Sequence, residues 1–318
     1  ETQRKGIKMI YTVTLNPSID LFVELKSFNL GGQNNIVQER SIPGGKALNV
    51  SRILSSLRIP TIATGFTGGF QGEFIKDWLT NENISTSFVK MENHNRTNIK
   101  LFENNQETMI NFPGPTIKTK EVDELVYYLS RVREGDTIIF GGSVPPMEDG
   151  LDNDIYTRLV SVATANGANF VADVPARYLL DMVKEKPILV KPNSEDIEEI
   201  FNVRIEDKKD FIPYGKKLVN MGAKYVIISY GASGSMFFVG DDVYESTPVK
   251  DHKEIINTVA CRDAMIGGFV GTMVRDGDPV ESYKVSVASA SATARVLDLP
   301  SREEIMNMLP LVNIEKIG

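Results

Sequence analysis

The chain is short of cysteine, histidine and basic charge, and each shortage removes a class of function. One cysteine in 318 residues, Cys261, excludes an internal disulfide and any zinc cluster built on thiolates. The two histidines, His94 and His252, stand far apart without metal-ligand spacing, so each reads as a surface or loop residue. No apolar run reaches membrane-spanning length, and the first residues lack the apolar core of a secretory signal. Basic residues number 35 against 42 acidic ones, a net charge of -7. That balance disfavours nucleic acid and an anionic membrane as partners, while leaving room for a local basic site that takes a small phosphate. Neither Gly-x-x-x-x-Gly-Lys-Ser/Thr nor Gly-x-Gly-x-x-Gly occurs, so the chain has no Walker P-loop and no dinucleotide fingerprint. Repeats, low-complexity tracts and long linkers are absent too. Glu1 to Lys8 read as a polar leader outside the fold, and the cytoplasm is the expected compartment.

What remains is ordinary globular material, 42% apolar and 24% charged, enough for one large α/β domain or two smaller units. Met9 to Asn16 is β-branched and stopped by Pro17, as a buried strand would be. Alternating segments at 20–25 and 35–40 predict an antiparallel pair with one exposed face, and 97–103 with 107–112 predict a second hairpin about Asn104-Asn105. Pro43-Gly44-Gly45-Lys46-Ala47-Leu48-Asn49-Val50 opens a helix, with Lys46 and Asn49 able to project from one side. Thr61 to Gly68 reads as a strand and Phe70 to Glu82 as a helix. Beyond Pro113-Gly114-Pro115 the rhythm is regular. Helices at 120–132, 151–166 and 178–183 alternate with strands at 136–142, 169–174 and 187–191, which predicts a mainly parallel sheet covered on both faces. Ligands of such sheets gather at the carboxyl ends of the strands, where Gly142-Ser143, Asp173 and Lys191-Pro192-Asn193 fall. Later helices are expected at 194–201, at 209–221 with an interruption at Pro213, and from Ser301 with a capping box. Strands at 225–230 and 235–239 flank Gly231 to Gly234, and the Ala- and Ser-rich stretch 280–297 predicts close packing.

The chain is organised around Ile255 to Phe269, an extended approach, a tight turn and a helix of small and apolar residues. Asp263 falls in the first turn of that helix, where a carboxylate is favoured and free N–H groups can hold an anion. It reads either as a helix cap or as a base beside a transferring phosphoryl group. Arg96 and Lys100 likewise read as solvated strand charges or as a phosphate site. Cys261 reads as a small residue that fills the turn.

In order along the chain, these residues resemble the ribokinase/PfkB family of sugar kinases, most closely its 1-phosphofructokinase and tagatose-6-phosphate kinase branch. The carriers are Thr14 to Asp20 (TLNPSID), Pro43 to Arg52 (PGGKALNVSR), Gly65 to Gly69, Arg96 to Lys100 and Asn111 to Pro115. Gly142 to Pro146, Lys191-Pro192-Asn193 and Asn257-Thr258-Val259 ahead of Asp263 complete the set. The resemblance implies a ribokinase-like α/β core (9–17, 43–93 and 113–318) with a small β-sheet lid (18–42 and 94–112). By the same match Asp20 binds sugar hydroxyls, Gly44, Gly45 and Asn49 line the sugar pocket, and Lys46 and Arg96 hold the phosphate already on the substrate, with Ser143 adding a donor. Lys191, Asn193, Ser229, Gly231 and Gly234 lie along the ATP side, and Asp263 is the general base. The implied reaction takes fructose 1-phosphate or tagatose 6-phosphate to the bisphosphate with ATP and Mg²⁺, and the lid allows a homodimer.

Departures from the family pattern cluster at the turn. Ala260-Cys261-Arg262-Asp263 stands where the family has Gly-Ala-Gly-Asp, so the anion hole carries Ala260 and Arg262 in place of glycines. If either position needs φ > 0, the side chain adds about 1 kcal/mol or more of strain. Asn193-Ser-Glu-Asp196 replaces Asn-x-x-Glu, leaving Asp196 to meet the metal indirectly, through water or phosphate, with Glu195 pointing elsewhere. Ala47 stands at a usual glycine. The altered anion hole also admits a catalytically impaired relative that senses sugar phosphate or nucleotide.

Overall fold

The computed structural model describes residues 8–103, 106–148, 150, 154–251, 254–258 and 260–318. The leader up to Ile7, the Asn104-Asn105 turn, Leu151 to Asn153 of one expected helix, His252 and Val259 lie outside the described residues.

The first strands are β1 (Ile10–Thr14), β2 (Ser18–Leu25) and β3 (Ile36–Gly44), followed by helix α1 (Lys46–Ser56). Then come β4 (Thr61–Thr67), α2 (Gly69–Asn81), β5 (Ser85–Thr86), β6 (Val89–Lys90), β7 (Arg96–Glu103) and β8 (Gln106–Ile110). The regular middle runs α3 (Thr119–Leu129), β9 (Thr137–Gly141), α4 (Ile155–Thr164), β10 (Asn169–Asp173), α5 (Ala176–Lys184), β11 (Leu189–Val190) and α6 (Ser194–Phe201). It continues with α7 (Phe211–Met221), β12 (Tyr225–Ser229), β13 (Ser235–Val239) and β14 (Asp242–Ser246). The last elements are α8 (Cys261–Asp276), α9 (Pro279–Thr293), α10 (Arg302–Met308) and β15 (Ile314–Lys316).

These strands make two sheets. The large one has 11 strands in the order β15-β14-β13-β12-β11-β10-β9-β1-β4-β5, with β6 pairing β4. From β12 to β5 all neighbours are parallel, and the β12 to β15 edge is antiparallel. Alternate residues of its central strands feed two cores. Ile138, Phe140, Phe170 and Val226 enter one, and Ile139, Val171 and Ile227 the other. Burial on both faces is what makes these strands read as unbroken apolar runs. The small sheet, β3-β2-β7-β8, is separate. β2 runs antiparallel to β3 and parallel to β7, and the two expected hairpin segments thus share one sheet.

Helix α8 packs closely between α1 and α9 at its glycines. A Cβ at Gly267 would lie 2.6 Å from Ile53 Cγ2, and one at Gly268 would lie 2.5 Å from Ser289 Oγ. This close approach brings the start of α8 against the residues of α1. The expected break at Pro213 does not occur. Pro213 is the third residue of α7, where its missing N–H has no intrahelical partner to lose. Strands β5, β6, β14 and β15 are not anticipated from the sequence. Among the described residues no helix is long and apolar enough to cross a membrane.

Candidate active site

The carboxyl ends of β1, β9, β10 and β11 open beside the N-terminus of α8. The turn entering α8 is ordinary backbone: Ala260 has φ -86 and ψ -3, and Arg262 is helical. Neither belongs to the non-glycine residues of positive φ, so the strain expected of a side chain there does not arise. Asp263, only 4% exposed, accepts a hydrogen bond from Asn49 Nδ2 at 2.8 Å. Burial first, and the charge of Asp173 second, push its pKa up to about 7 against the pull of Lys46, Asn49 and Lys191. Asp173 ends β10 and pairs with Lys46 Nζ at 3.4 Å. Burial would raise Asp173 as well, but Lys46, Lys191 and Arg262 outweigh it and hold this carboxyl below its ordinary value. Lys191 is fully enclosed and its Nζ has no hydrogen-bond partner; burial pulls its pKa down to about 8 despite Asp173. A buried ammonium without a hydrogen-bond partner, near a carboxyl whose proton affinity is raised by burial, is an arrangement that an anion would complete.

On the side of the small sheet, Asp20 is held by three donors: Ser18 Oγ at 2.8 Å, Asn98 Nδ2 at 3.0 Å and Lys100 Nζ at 3.3 Å. Lys100 is therefore neither a solvated strand charge nor free for a phosphate; it neutralises Asp20 and lies 4.7 Å from the Phe22 ring centre. A Cβ on Gly44 would come within 2.4 Å of both Asp20 Oδ1 and Ser18 Oγ, and Gly45 has φ 140, so both glycines of the pair are required by geometry. Arg96 donates to Asn16 O at 3.1 and 3.3 Å, to Phe112 O at 2.8 Å and to Ser143 Oγ at 3.4 Å. Ser143 also accepts from Asn16 Nδ2 at 3.2 Å, and Asn16 Oδ1 is buried without a partner.

The other side is a cleft of ≈ 360 Å³ that brings together Asn193, Ser229, Gly231, Gly234, Cys261 and Arg262. Its far wall is not legible in the sequence: Ser246 ends β14 and Thr247 to Val249 follow it, while Ala290 and Ser291 come from α9 and Ala294 from the cap just beyond it. The small residues of α9, which predict only close packing, leave this volume open. Glu195 lines the cleft too, contrary to the expectation that it points away. Asp196 closes a capping box with Asn193 (2.8 and 2.7 Å) and pairs with Arg262 Nη2 at 3.0 Å, so Arg262 lies across the cleft floor. Cys261 donates to Asn257 O at 3.2 Å, and burial pushes its thiol up to about 11, the state of a packing residue. Asp173 belongs with the expected residues; its position at a strand end is the available signal.

Among the described residues no three His, Cys, Asp or Glu side chains converge into a direct metal cage. The residues fit a hydrated Mg²⁺ that keeps its waters and takes its other ligands from phosphate. Asp173 Oδ2 is buried with only the Lys46 ammonium, at 3.4 Å, against it, and Asp196 pairs with Arg262 of the cleft lining.

Fold and site together define a class, an α/β protein with a buried carboxylate and an enclosed lysine at a helix N-terminus beside an open cleft. The model of the pfkB family carbohydrate kinases matches residues 13–299, and the chain belongs to that family. It is 35% identical over 309 residues to 1-phosphofructokinase of Bacillus subtilis, covering 97% of this chain and 100% of the relative. Tagatose-6-phosphate kinase of Staphylococcus epidermidis is 30% identical over 280 residues, 87% of this chain and 89% of the relative. The fold is similar to the tetrameric inhibited form of phosphofructokinase-2 from Escherichia coli, with TM-score 0.87, 24% identity, and 95% and 98% of the two chains covered.

Proposed function

We propose that the protein transfers the γ-phosphoryl group of ATP to a hydroxyl of a ketose phosphate, either fructose 1-phosphate or tagatose 6-phosphate, giving the bisphosphate and ADP. The observation that carries this reading is Asp263, a buried carboxyl oriented by Asn49 at 2.8 Å and raised to about 7, next to enclosed Lys191. A base with that proton affinity works near neutral pH. Asp263 takes the proton of the attacking hydroxyl; the new O–P bond forms as the bond between the γ-phosphorus and the bridging oxygen breaks, and the charge leaves with ADP. The similarity to the Bacillus and Staphylococcus kinases supports a phosphorylated ketose.

Each ligand takes the side its charge requires. Asp20, Gly44, Gly45 and Asn49 receive the sugar, and Lys46, Arg96 and Ser143 its phosphate. Asn193, Ser229, Gly231 and Gly234 line the nucleotide cleft, with Lys191 and the amides of the Ala260-Cys261-Arg262 turn behind the polyphosphate. Mg²⁺, when bound to the nucleotide and reached by Asp196 through water or phosphate, neutralises phosphate charge. Residues 18–42 and 94–112 act as the lid over a core of 9–17, 43–93 and 113–318. The small sheet exposes Ile36, Val37, Met109 and Ile110, which supports pairing of two copies through it. Sedimentation should give a dimer that Val37→Glu with Met109→Glu converts to monomer; a wild-type monomer removes the assembly from the proposal.

The Arg262–Asp196 pair favours a second reading, a sensor that binds without turnover, because it occupies an acidic group on the nucleotide side. ADP release with ATP and Mg²⁺ separates the two, measured against fructose 1-phosphate, tagatose 6-phosphate, fructose 6-phosphate and fructose. Turnover on one phosphorylated ketose supports the kinase and names its sugar. Calorimetric binding of the same sugars without turnover supports the sensor.

A further inference from the structure

Arg52 has no part in the chemistry above, yet it is a charge only 4% exposed, held by carboxylates from two distant parts of the chain. Nε and Nη2 each donate to an oxygen of Glu82 at 2.8 Å, while Nη1 and Nη2 donate to the two oxygens of Asp298 at 3.0 and 2.6 Å. Trp78, whose Nε1 donates to Glu82 Oε1 at 2.9 Å, lies under the guanidinium with its ring centre 5.7 Å away. Burial works against the charge of Arg52, but its bonds to Glu82 and Asp298 outweigh it. A buried ionic cluster is seldom the most stable filling for such a space, and its fixed geometry is the property that apolar packing lacks.

The two arms of this clamp differ in what they reach. Glu82 caps the end of α2, and its side chain binds only Arg52 and Trp78 among the hydrogen bonds of the described residues. Asp298 follows α9, and its carbonyl accepts from Asn257 Nδ2 at 2.9 Å. The neighbouring carbonyl of Ala294 accepts from the amides of Ile256 and Asn257 at 2.8 and 3.2 Å. Asn257 O in turn accepts from Cys261 Sγ at 3.2 Å, at the first residue of α8 and two before Asp263. A continuous path therefore leaves α1 at Arg52, passes through Asp298 and Asn257, and returns to α1 through the Asp263–Asn49 bond.

We infer that Arg52 is a positioning residue for phosphoryl transfer: by clamping Asp298 it fixes the approach 254–258, and so the placement of Asp263 against Asn49. The catalytic part rests on the kinase reading; the mechanical part does not. A small displacement of a base is costly because proton transfer needs near-contact geometry.

The test compares Arg52→Lys, Asp298→Asn and Glu82→Gln in the full chain, with folding followed by thermal unfolding. Arg52→Lys and Asp298→Asn should lower kcat about tenfold or more while the KM values for ATP and sugar phosphate change by less than about threefold. Glu82→Gln breaks an ion pair of the same kind but should leave kcat within about twofold of wild type. Hydrogen exchange at the Ile256 and Asn257 amides should accelerate about tenfold or more in the first two variants only. Equal losses of kcat in all three variants, or unchanged exchange in Asp298→Asn, overturn the inference. If Arg52→Lys does not fold, the contrast between Asp298→Asn and Glu82→Gln still decides. A wild-type protein that transfers no phosphate ends the kinase reading alone, and the exchange measurement still tests the coupling.

Discussion

Asp263 is costly to ionise because it is buried and faces Asp173, and both effects raise its proton affinity. As a base it must be deprotonated, so turnover should rise with pH through about 7. Lys191 must keep its proton to hold phosphate, so turnover should fall above about 8. A bell-shaped profile of kcat/KM follows, whose acid limb belongs to the Asp173–Asp263 pair jointly. An acid limb near pH ~4, the value of a carboxyl in water, would contradict the account. Arg262 makes a separate prediction. It is 3.0 Å from Asp196 on the cleft floor, and an incoming polyphosphate offers it a stronger partner. Arg262→Gly should weaken ATP binding about tenfold by calorimetry, with sugar-phosphate binding little changed. Unchanged ATP affinity would mean that Arg262 serves Asp196 alone.

At the scale of elements, the turns entering α1 and α8 decide where chemistry can occur. Gly44 closes β3 where Asp20 and Ser18 leave no room for a Cβ. Gly44→Ala should therefore raise the KM for sugar phosphate about tenfold while the KM for ATP holds. Equal effects on both ligands would contradict the division of the site. The helix carrying Asp263, the strands of the parallel core and the two antiparallel pairs of the small sheet are legible because each has a local signature (small residues, unbroken apolar runs, alternation), whereas the parallel β2–β7 pairing that joins those pairs has none. Strand β15 has none, since Ile314 to Lys316 become a strand only by pairing with β14. Pro213 misleads for the opposite reason, its local meaning changing with one turn of helix position. At the site, Gly44, Lys46 and Asn49 are readable from spacing. The links that fix them are not, because Lys46 meets Asp173, and Arg52 meets Asp298, across long stretches of chain.

Across the whole molecule, the charges of the candidate site meet at the carboxyl end of the large sheet. The carboxyl ends of parallel strands collect Ser143, Asp173 and Lys191, α8 brings Asp263 to them, and the small sheet adds Asp20 and Arg96. Charge is buried there, with Asp173, Lys191 and Asp263 almost inaccessible, which is a poor device for stability and, on the proposed function, a good one for transferring a phosphoryl group. The central claim is that Asp263 takes the proton in that transfer. Its most direct test is the steady-state rate of Asp263→Asn, a near-isosteric change, on the preferred ketose phosphate. The expected result is a fall in kcat of about 10²- to 10⁴-fold with both KM values within about threefold. Turnover retained at the wild-type rate would contradict it.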